Sequence, residues 1–174
     1  MRPDQTADFE EFVAASARSL RRTAFLLCGD WQRAEDATQD ALVKLYVAWP
    51  RIRRRGAATA YAHRAVTTAV VDQARRPWRR EVSTLTLPEG RRERSVDPVA
   101  STERRLAVLA ALEELPDRRR ACVVLRYFAD LSVADTAVAL GIDGGTVKSQ
   151  TARALDQLRV SLAGTGLDLA MEDL

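Results

Sequence analysis

The stretch LSVADTAVALGIDGGTVKSQTARALDQLR, Leu131 to Arg159, limits what this chain can fold into more than any other. Ser132 with Asp135 three residues on is the [ST]-x-x-[DE] start signal, which predicts a short helix carrying Val133, Ala137, Val138 and Leu140 inward and stopping at Gly141. Asp143 is a second N-cap, and Val147, Thr151, Ala154, Leu155 and Leu158 then recur at helical spacing. A small residue at Ala137, a glycine where a tight turn needs positive φ, and Ile142 with Val147 wedged between the helices together make helix-turn-helix grammar. The opposite face of the second helix holds Thr146, Lys148, Ser149, Gln150 and Arg153. These are donors and acceptors for base edges and phosphates, gathered beside a helix N-terminus that itself favours phosphate. A helical hairpin with a merely solvated face is the competing reading, and the turn chemistry speaks against it.

The remainder reads as helix too. Hydrophobic residues make up 47% of the chain and aromatics only 6%, which suits an all-α protein better than a sheet protein. Phe9, Phe12, Val13, Leu20, Ala24 and Leu27 predict an amphipathic helix ending at Gly29, with Arg18, Arg21 and Arg22 outside. Asp30 then caps a helix with Ala34, Ala37, Thr38, Ala41, Leu42, Leu45 and Trp49 inward, closed by Pro50. On its outer side Asp36, Gln39 and Asp40 stand at i, i+3 and i+4, a compact acidic patch.

Next comes RIRRRG, Arg51 to Gly56, a loop whose arginines, Arg53, Arg54 and Arg55 among them, repel one another unless a polyanion relieves them. A third helix, Ala57 to Arg76, buries its alanines and valines and leaves Tyr61, His63, Arg64, Thr67, Thr68 and Gln73 at wetter positions. It closes on Arg75, Arg76, Trp78, Arg79 and Arg80, so rings and guanidiniums alternate as they do where single strands are gripped. Residues 81–102 lose all periodicity and read as a flexible linker between a domain at 8–80 and a second at 103–162, with an acidic tail at 163–174. The second domain begins on Leu106, Leu109, Leu112 and Leu115, breaks at Pro116 and restarts at Asp117.

Several function classes drop out. Cys28, Cys122 and the single His63 offer no metal-ligand spacing, and both cysteines are expected to be buried thiols of a reducing compartment. There is no glycine-rich phosphate loop and no nucleophile elbow, so neither an enzyme nor a cofactor is expected. Without a leader-like or membrane-length apolar run, the expected place is the cytoplasm. The net charge is only +3, but the clustered arginines call for acidic partners. Residue chemistry alone leaves open a DNA-binding regulator with a separate sensing domain, or a helical RNA-binding protein built on the Arg51–Arg80 patch.

Three segments narrow the choice: AEDATQDALVKLYVAW at Ala34–Trp49, AYAHRAVTTAVVDQARR at Ala60–Arg76, and the run from ALEELPDRRR at Ala111 to Arg159. In these the chain resembles the extracytoplasmic-function sigma factors of the sigma-70 family, and FLLCGD at Phe25–Asp30 resembles an actinobacterial subgroup. The resemblance implies two small helical domains, a sigma-2-like bundle and a sigma-4-like four-helix domain carrying the helix-turn-helix. It implies that Asp36, Gln39 and Asp40 dock on the clamp helices of the polymerase β′ subunit, and that the second domain meets the β flap. Arg53, Arg54, Arg55, Tyr61, Arg64, Thr68, Arg75 and Arg76 fall where the family opens and reads the minus-10 element, and Thr146, Lys148, Ser149, Gln150 and Arg153 where it reads the minus-35 element. Partners implied are core RNA polymerase, promoter DNA and an anti-sigma factor. Thr68 and Gln150 depart from the Asn and Arg that many relatives carry, which implies altered contacts at those two points.

Overall fold

The computed structural model describes residues 3–52, 55–74 and 98–163. Among them all regular structure is helical: α1 (Pro3–Cys28), α2 (Trp31–Ala48), α3 (Arg55–Ala74), α4 (Pro98–Glu113), α5 (Asp117–Val123), α6 (Val133–Leu140) and α7 (Gly144–Ala163). A 3-10 turn, Trp49–Arg51, follows α2, and a π-helical turn, Val124–Phe128, extends α5. Arg53, Arg54, Arg75, Arg76, most of the expected linker and the tail lie outside the described residues.

The first three helices pack together because each carries small or branched apolar residues every third or fourth position. Leu20, Ala24 and Phe25 of α1, Ala34, Ala37, Ala41 and Leu45 of α2, and Ala62, Val66 and Ala69 of α3 form one buried cluster. Alanines dominate, so the helices approach closely and aromatic rings seal both ends of the α1–α2 pair. At one end Phe9 meets Tyr46 and Trp49 edge-on at 5.2 and 5.3 Å; at the other Phe25 stacks on Trp31 at 4.0 Å. Asp30 caps α2 as expected, its Oδ1 accepting from the Arg33 N–H at 2.8 Å. Leu45 is wholly buried, and its truncation to alanine removes about 2–5 kcal/mol.

α3 differs from its expected form in two ways. It begins at Arg55, so the end of the arginine loop is already helical. It is also buried over two sectors. Beyond the face turned to α1 and α2, Ala60, His63 and Thr67 are buried too, on the side where α6 packs along it. A helix covered on two sides needs apolar or small residues nearly all round, which is why its sequence shows no single apolar stripe. Burial in that second sector pushes the His63 imidazole down to about 4, and its Nδ1 has no hydrogen-bond partner.

The second half packs around Leu112, Leu115, Val123, Val124, Leu158 and Leu162. α4 opens at Pro98, five residues inside the stretch read as linker. The helix-turn-helix signals hold in detail: Ser132 Oγ accepts from the Asp135 N–H at 3.0 Å, Gly141 sits at φ 64°, and Asp143 Oδ1 accepts from the Thr146 N–H at 2.8 Å. Val147, Thr151, Ala154, Leu155 and Leu158 are buried as expected. Val138 is not: it is 56% exposed, while Thr136 and Ala139 are the buried residues of α6. The π-helical turn had no sequence signal; Asp130, at φ 51°, reverses the chain after it, a conformation that aspartate tolerates better than most residues.

The two halves touch. Leu26 of α1 is part of the second cluster, and Arg120 of α5 reaches back to the end of α1. Its guanidinium donates to the Leu27 carbonyl at 3.2 Å, the Glu113 carbonyl at 2.8 Å and the Leu115 carbonyl at 3.1 Å. Leu27 and Glu113 lie in the last turns of α1 and α4, whose carbonyls have no acceptor role left within their own helices. Gly29 sits in the same contact. It is held at φ 70°, and a Cβ there would stand 2.6 Å from Glu113 Oε1.

Candidate functional site

The residues singled out from sequence fall on three exposed helix faces. On α2, Gln39 and Asp40 are exposed and Asp36 is half-buried, one turn apart along the side opposite Ala37, Ala41 and Leu45. The same face continues into Val43 and Val47, 64% and 69% exposed. The patch is bordered by α3: a cleft between the helices is lined by Asp36, Gln39, Asp40 and Lys44 on one side and by Ala69, Asp72 and Gln73 on the other. Gln73 is 6% exposed and its Oε1 accepts no hydrogen bond. A buried acceptor left unmade in this way costs about 1–3 kcal/mol. Sequence reasoning missed Asp72 and Gln73 as neighbours of the acidic patch; two adjacent polar residues in the last turn of α3 were the available signal.

On α3, Tyr61, Arg64 and Thr68 are exposed at i, i+3 and i+7, so they form one stripe. With two sectors of the helix buried, this stripe and its flanks are what α3 presents to solvent. Arg55 is placed by its backbone alone, at the start of the same helix. The remaining arginines expected to join them, at 53, 54, 75 and 76, fall outside the described residues.

On α7, Lys148, Ser149 and Arg153 are exposed and Gln150 is half-buried. Thr146 has a second task, because its hydroxyl donates to Asp143 Oδ2 and so belongs to the cap. These hydrogen bonds from Thr146 hold the Asp143 carboxyl below the usual carboxylate range. Ser149 Oγ donates back to the Thr146 carbonyl at 3.1 Å. The exposed polar face of α7 therefore carries Lys148, Ser149 and Arg153, mounted on a helix whose inner side is fixed by Val147, Thr151 and Ala154.

Neither cysteine belongs to a site. Burial raises both thiols, Cys122 to about 11, and Cys28 Sγ donates to the Asp30 carbonyl at 3.3 Å. No group of three or more potential metal ligands occurs among the described residues, and no helix among them is long and apolar enough to cross a membrane.

Comparison with known proteins agrees with this layout. Residues 12–80 match Sigma-70 region 2 and residues 105–158 match Sigma-70, region 4. The chain is 34% identical to the RNA polymerase sigma-E factor of Streptomyces coelicolor over 164 residues, covering 94% of this chain and 91% of that one. It is 35% identical to the ECF RNA polymerase sigma factor SigM of Mycobacterium tuberculosis over 154 residues, 86% of this chain and 74% of that one. Among solved structures, the sigma factor RpoE of Bartonella quintana, crystallised with the anti-sigma factor NepR, superposes with a TM-score of 0.75 at 22% identity, covering 90% of this chain and 97% of that one. CnrH, solved with the cytosolic domain of CnrY, gives 0.65 at 21% identity, over 91% and 90% of the two chains. With both regions present in order and the two relatives matched over 91% and 74% of their lengths, the chain belongs to the actinobacterial-type extracytoplasmic-function sigma factors, which direct RNA polymerase to promoters.

Proposed function

We propose a division of labour among the three faces. The α2 patch of Asp36, Gln39 and Asp40 docks core RNA polymerase on the clamp helices of β′. The α3 stripe of Tyr61, Arg64 and Thr68, with Arg53, Arg54, Arg55, Arg75 and Arg76, holds melted minus-10 DNA. Lys148, Ser149 and Arg153 of α7, flanked by Thr146 and Gln150, read the minus-35 element in the major groove, and the second half contacts the β flap.

The observation that carries this reading is the α3 stripe. A helix that buries two sectors keeps one side for function, and that side holds a ring, a guanidinium and a hydroxyl in one line. Stacking on an unpaired base while a cation holds the backbone is the chemistry a flipped or single-stranded base needs. The protein is in this account a recognition subunit, acting in the cytoplasm where polymerase and promoter are, with chemistry left to the polymerase. Both structural neighbours were solved with a protein that binds them, and an anti-sigma factor is the partner class we assign by that likeness.

The test is a charge reversal. Asp36→Arg with Asp40→Arg sets like charges against a basic docking surface, a juxtaposition that costs several kcal/mol in a tight interface. The double variant is expected to keep its circular-dichroism melt, since neither residue packs in the core, while pull-down of core polymerase and promoter-dependent transcription collapse. A folded variant that binds core as the parent does would overturn the docking assignment. For the minus-10 role, Arg54→Ala with Arg55→Ala is expected to impair transcription from duplex promoters and to be partly rescued by a pre-melted template. Equal defects on both templates would sink it.

A further inference from the structure

The arginines on the outer side of α1 have no part in the three faces described above. Arg18 and Arg22 stand exposed at i and i+4, and between Glu11 and Asp30 the chain has no acidic residue to offset them. Arg21 beside them is engaged by Glu35 at 3.1 Å and lies over the Trp31 ring, whereas Arg18 and Arg22 make no ion pair among the described residues. Leu26 is the next member of the same row, at i+8, and it is buried in the core cluster of the second half together with Leu162 from the last turn of α7. The row therefore runs from solvent into the junction between the halves, and α7 ends near that junction. A second set of contacts agrees: Ser161 Oγ donates to Glu114 Oε2 at 2.8 Å, while the neighbouring Glu113 lies against Gly29 and shares the Arg120 guanidinium with the Leu27 carbonyl.

We propose that the acidic segment following α7 returns across the junction and docks on Arg18 and Arg22. Residues 164–174, GTGLDLAMEDL, carry Asp168, Glu172 and Asp173 and no cation. Asp168 stands five residues beyond Ala163 and Asp173 ten, a reach of about 17–33 Å at about 3.3 Å per residue. Arg22 and Arg18 lie only about 6 and 12 Å along α1 from Leu26, at a rise of about 1.5 Å per residue, so the segment is long enough with every helix left where it is. An exposed ion pair is weak by itself, but this segment is tethered to the same molecule, and its second and third contacts form at high effective concentration. A polyanion from outside has the charge without the tether. The pairing ties the last helix of the second half to the first helix of the first, a salt-sensitive clasp that does not depend on which face meets polymerase or DNA.

The chain has two lysines, Lys44 and Lys148, which makes a zero-length carbodiimide cross-link a sharp test. The full chain carrying Arg18→Lys and Arg22→Lys keeps both charges and gains two amines that couple only to a carboxylate in contact. Mass spectrometry of the monomer band is expected to show these amines joined to Asp168, Glu172 or Asp173 at least fivefold more often than Lys44 or Lys148 is. Raising the salt to about 1 M, where the screening length is about 3 Å, is expected to cut that yield at least fivefold. In the parent, Asp168→Asn with Glu172→Gln and Asp173→Asn is expected to shift the Arg18 and Arg22 Nε–H resonances and leave that of Arg153 in place. If the segment couples mainly to Lys148, it covers α7 and the inference is wrong. Equal coupling to every amine, or unmoved Arg18 and Arg22 resonances, means that the segment does not dock and overturns it as well. Cross-links found only in a dimer band put the segment on a second copy, and the clasp within one molecule fails.

Discussion

Replacing Arg120 with methionine strips three backbone carbonyls of their donor at once. Methionine preserves the stem and removes the hydrogen bonds to Leu27, Glu113 and Leu115. Two of these are partly buried, and a bond from a charged donor contributes about 1.5–3 kcal/mol, so their loss amounts to about 3–6 kcal/mol. The Glu113 bond is exposed and water replaces it. Against this, the Arg120 Nε is buried without a partner, and its removal relieves about 1–3 kcal/mol. The 3.9 Å approach to Asp117 adds little, because that carboxylate is 94% exposed. The expected net loss is about 2–3 kcal/mol, read from urea titrations followed by circular dichroism. Arg120→Lys is expected to restore only part of it, since an ammonium cannot fork between the ends of α1 and α4. A methionine variant within about 0.5 kcal/mol of the parent, the range of an inert surface change, would refute the argument that these helix ends depend on Arg120.

His63 makes stability depend on pH in a direction that its burial sets. Its folded value lies near 4 against an ordinary 6.5, so the unfolded chain binds the proton more readily. Stability is whole above pH 6.5 and declines as pH falls toward 4, by about 2 kcal/mol on reaching pH 5, and His63→Gln should flatten that part of the curve. Ser132→Ala, which removes the cap of α6, is expected to destabilise by about 1 kcal/mol in urea titrations. Gly141→Ala, at φ 64°, is expected to cost a similar amount of about 1 kcal/mol. Arg153→Ala is expected to weaken promoter-directed transcription about tenfold; if a promoter with a scrambled minus-35 element loses as much, Arg153 clamps phosphate and reads no base.

Much of this architecture is legible in residue order because its signals are local. Ser132, Gly141 and Asp143 each act within a few residues of themselves, so caps and turn follow directly from type and spacing. The α2 face is legible for the same reason: period alone puts Asp36, Gln39 and Asp40 opposite Ala37 and Ala41. What escaped depends on contacts between distant segments. Arg120 reads as one more surface arginine, and nothing near it in sequence announces the end of α1, 93 residues earlier. Ala60 and Thr67 are too small and mild to mark a buried sector, and Val138 reads as core until the helices on either side of α6 are in place. Asp72 and Gln73 join the α2 patch only because α3 lies beside it.

The packing of α6 along α3 has a bearing on how the molecule meets a promoter. α7 rests on α6 and α6 on α3, so two interaxial steps of 8–10 Å leave the two helices we propose to meet DNA only about 20 Å apart. Elements centred near minus-35 and minus-10 are separated by roughly 25 base pairs, about 85 Å of straight duplex at about 3.4 Å each. The arrangement described above therefore cannot span both at once, and a promoter-engaged molecule is drawn from a separated population. Each tenfold excess of the packed form raises the apparent dissociation constant tenfold, whatever the quality of the contacts themselves. Loosening the junction, as Arg120→Met does, then moves two readouts in opposite directions: the urea midpoint falls, while promoter occupancy by the assembled polymerase at limiting sigma rises.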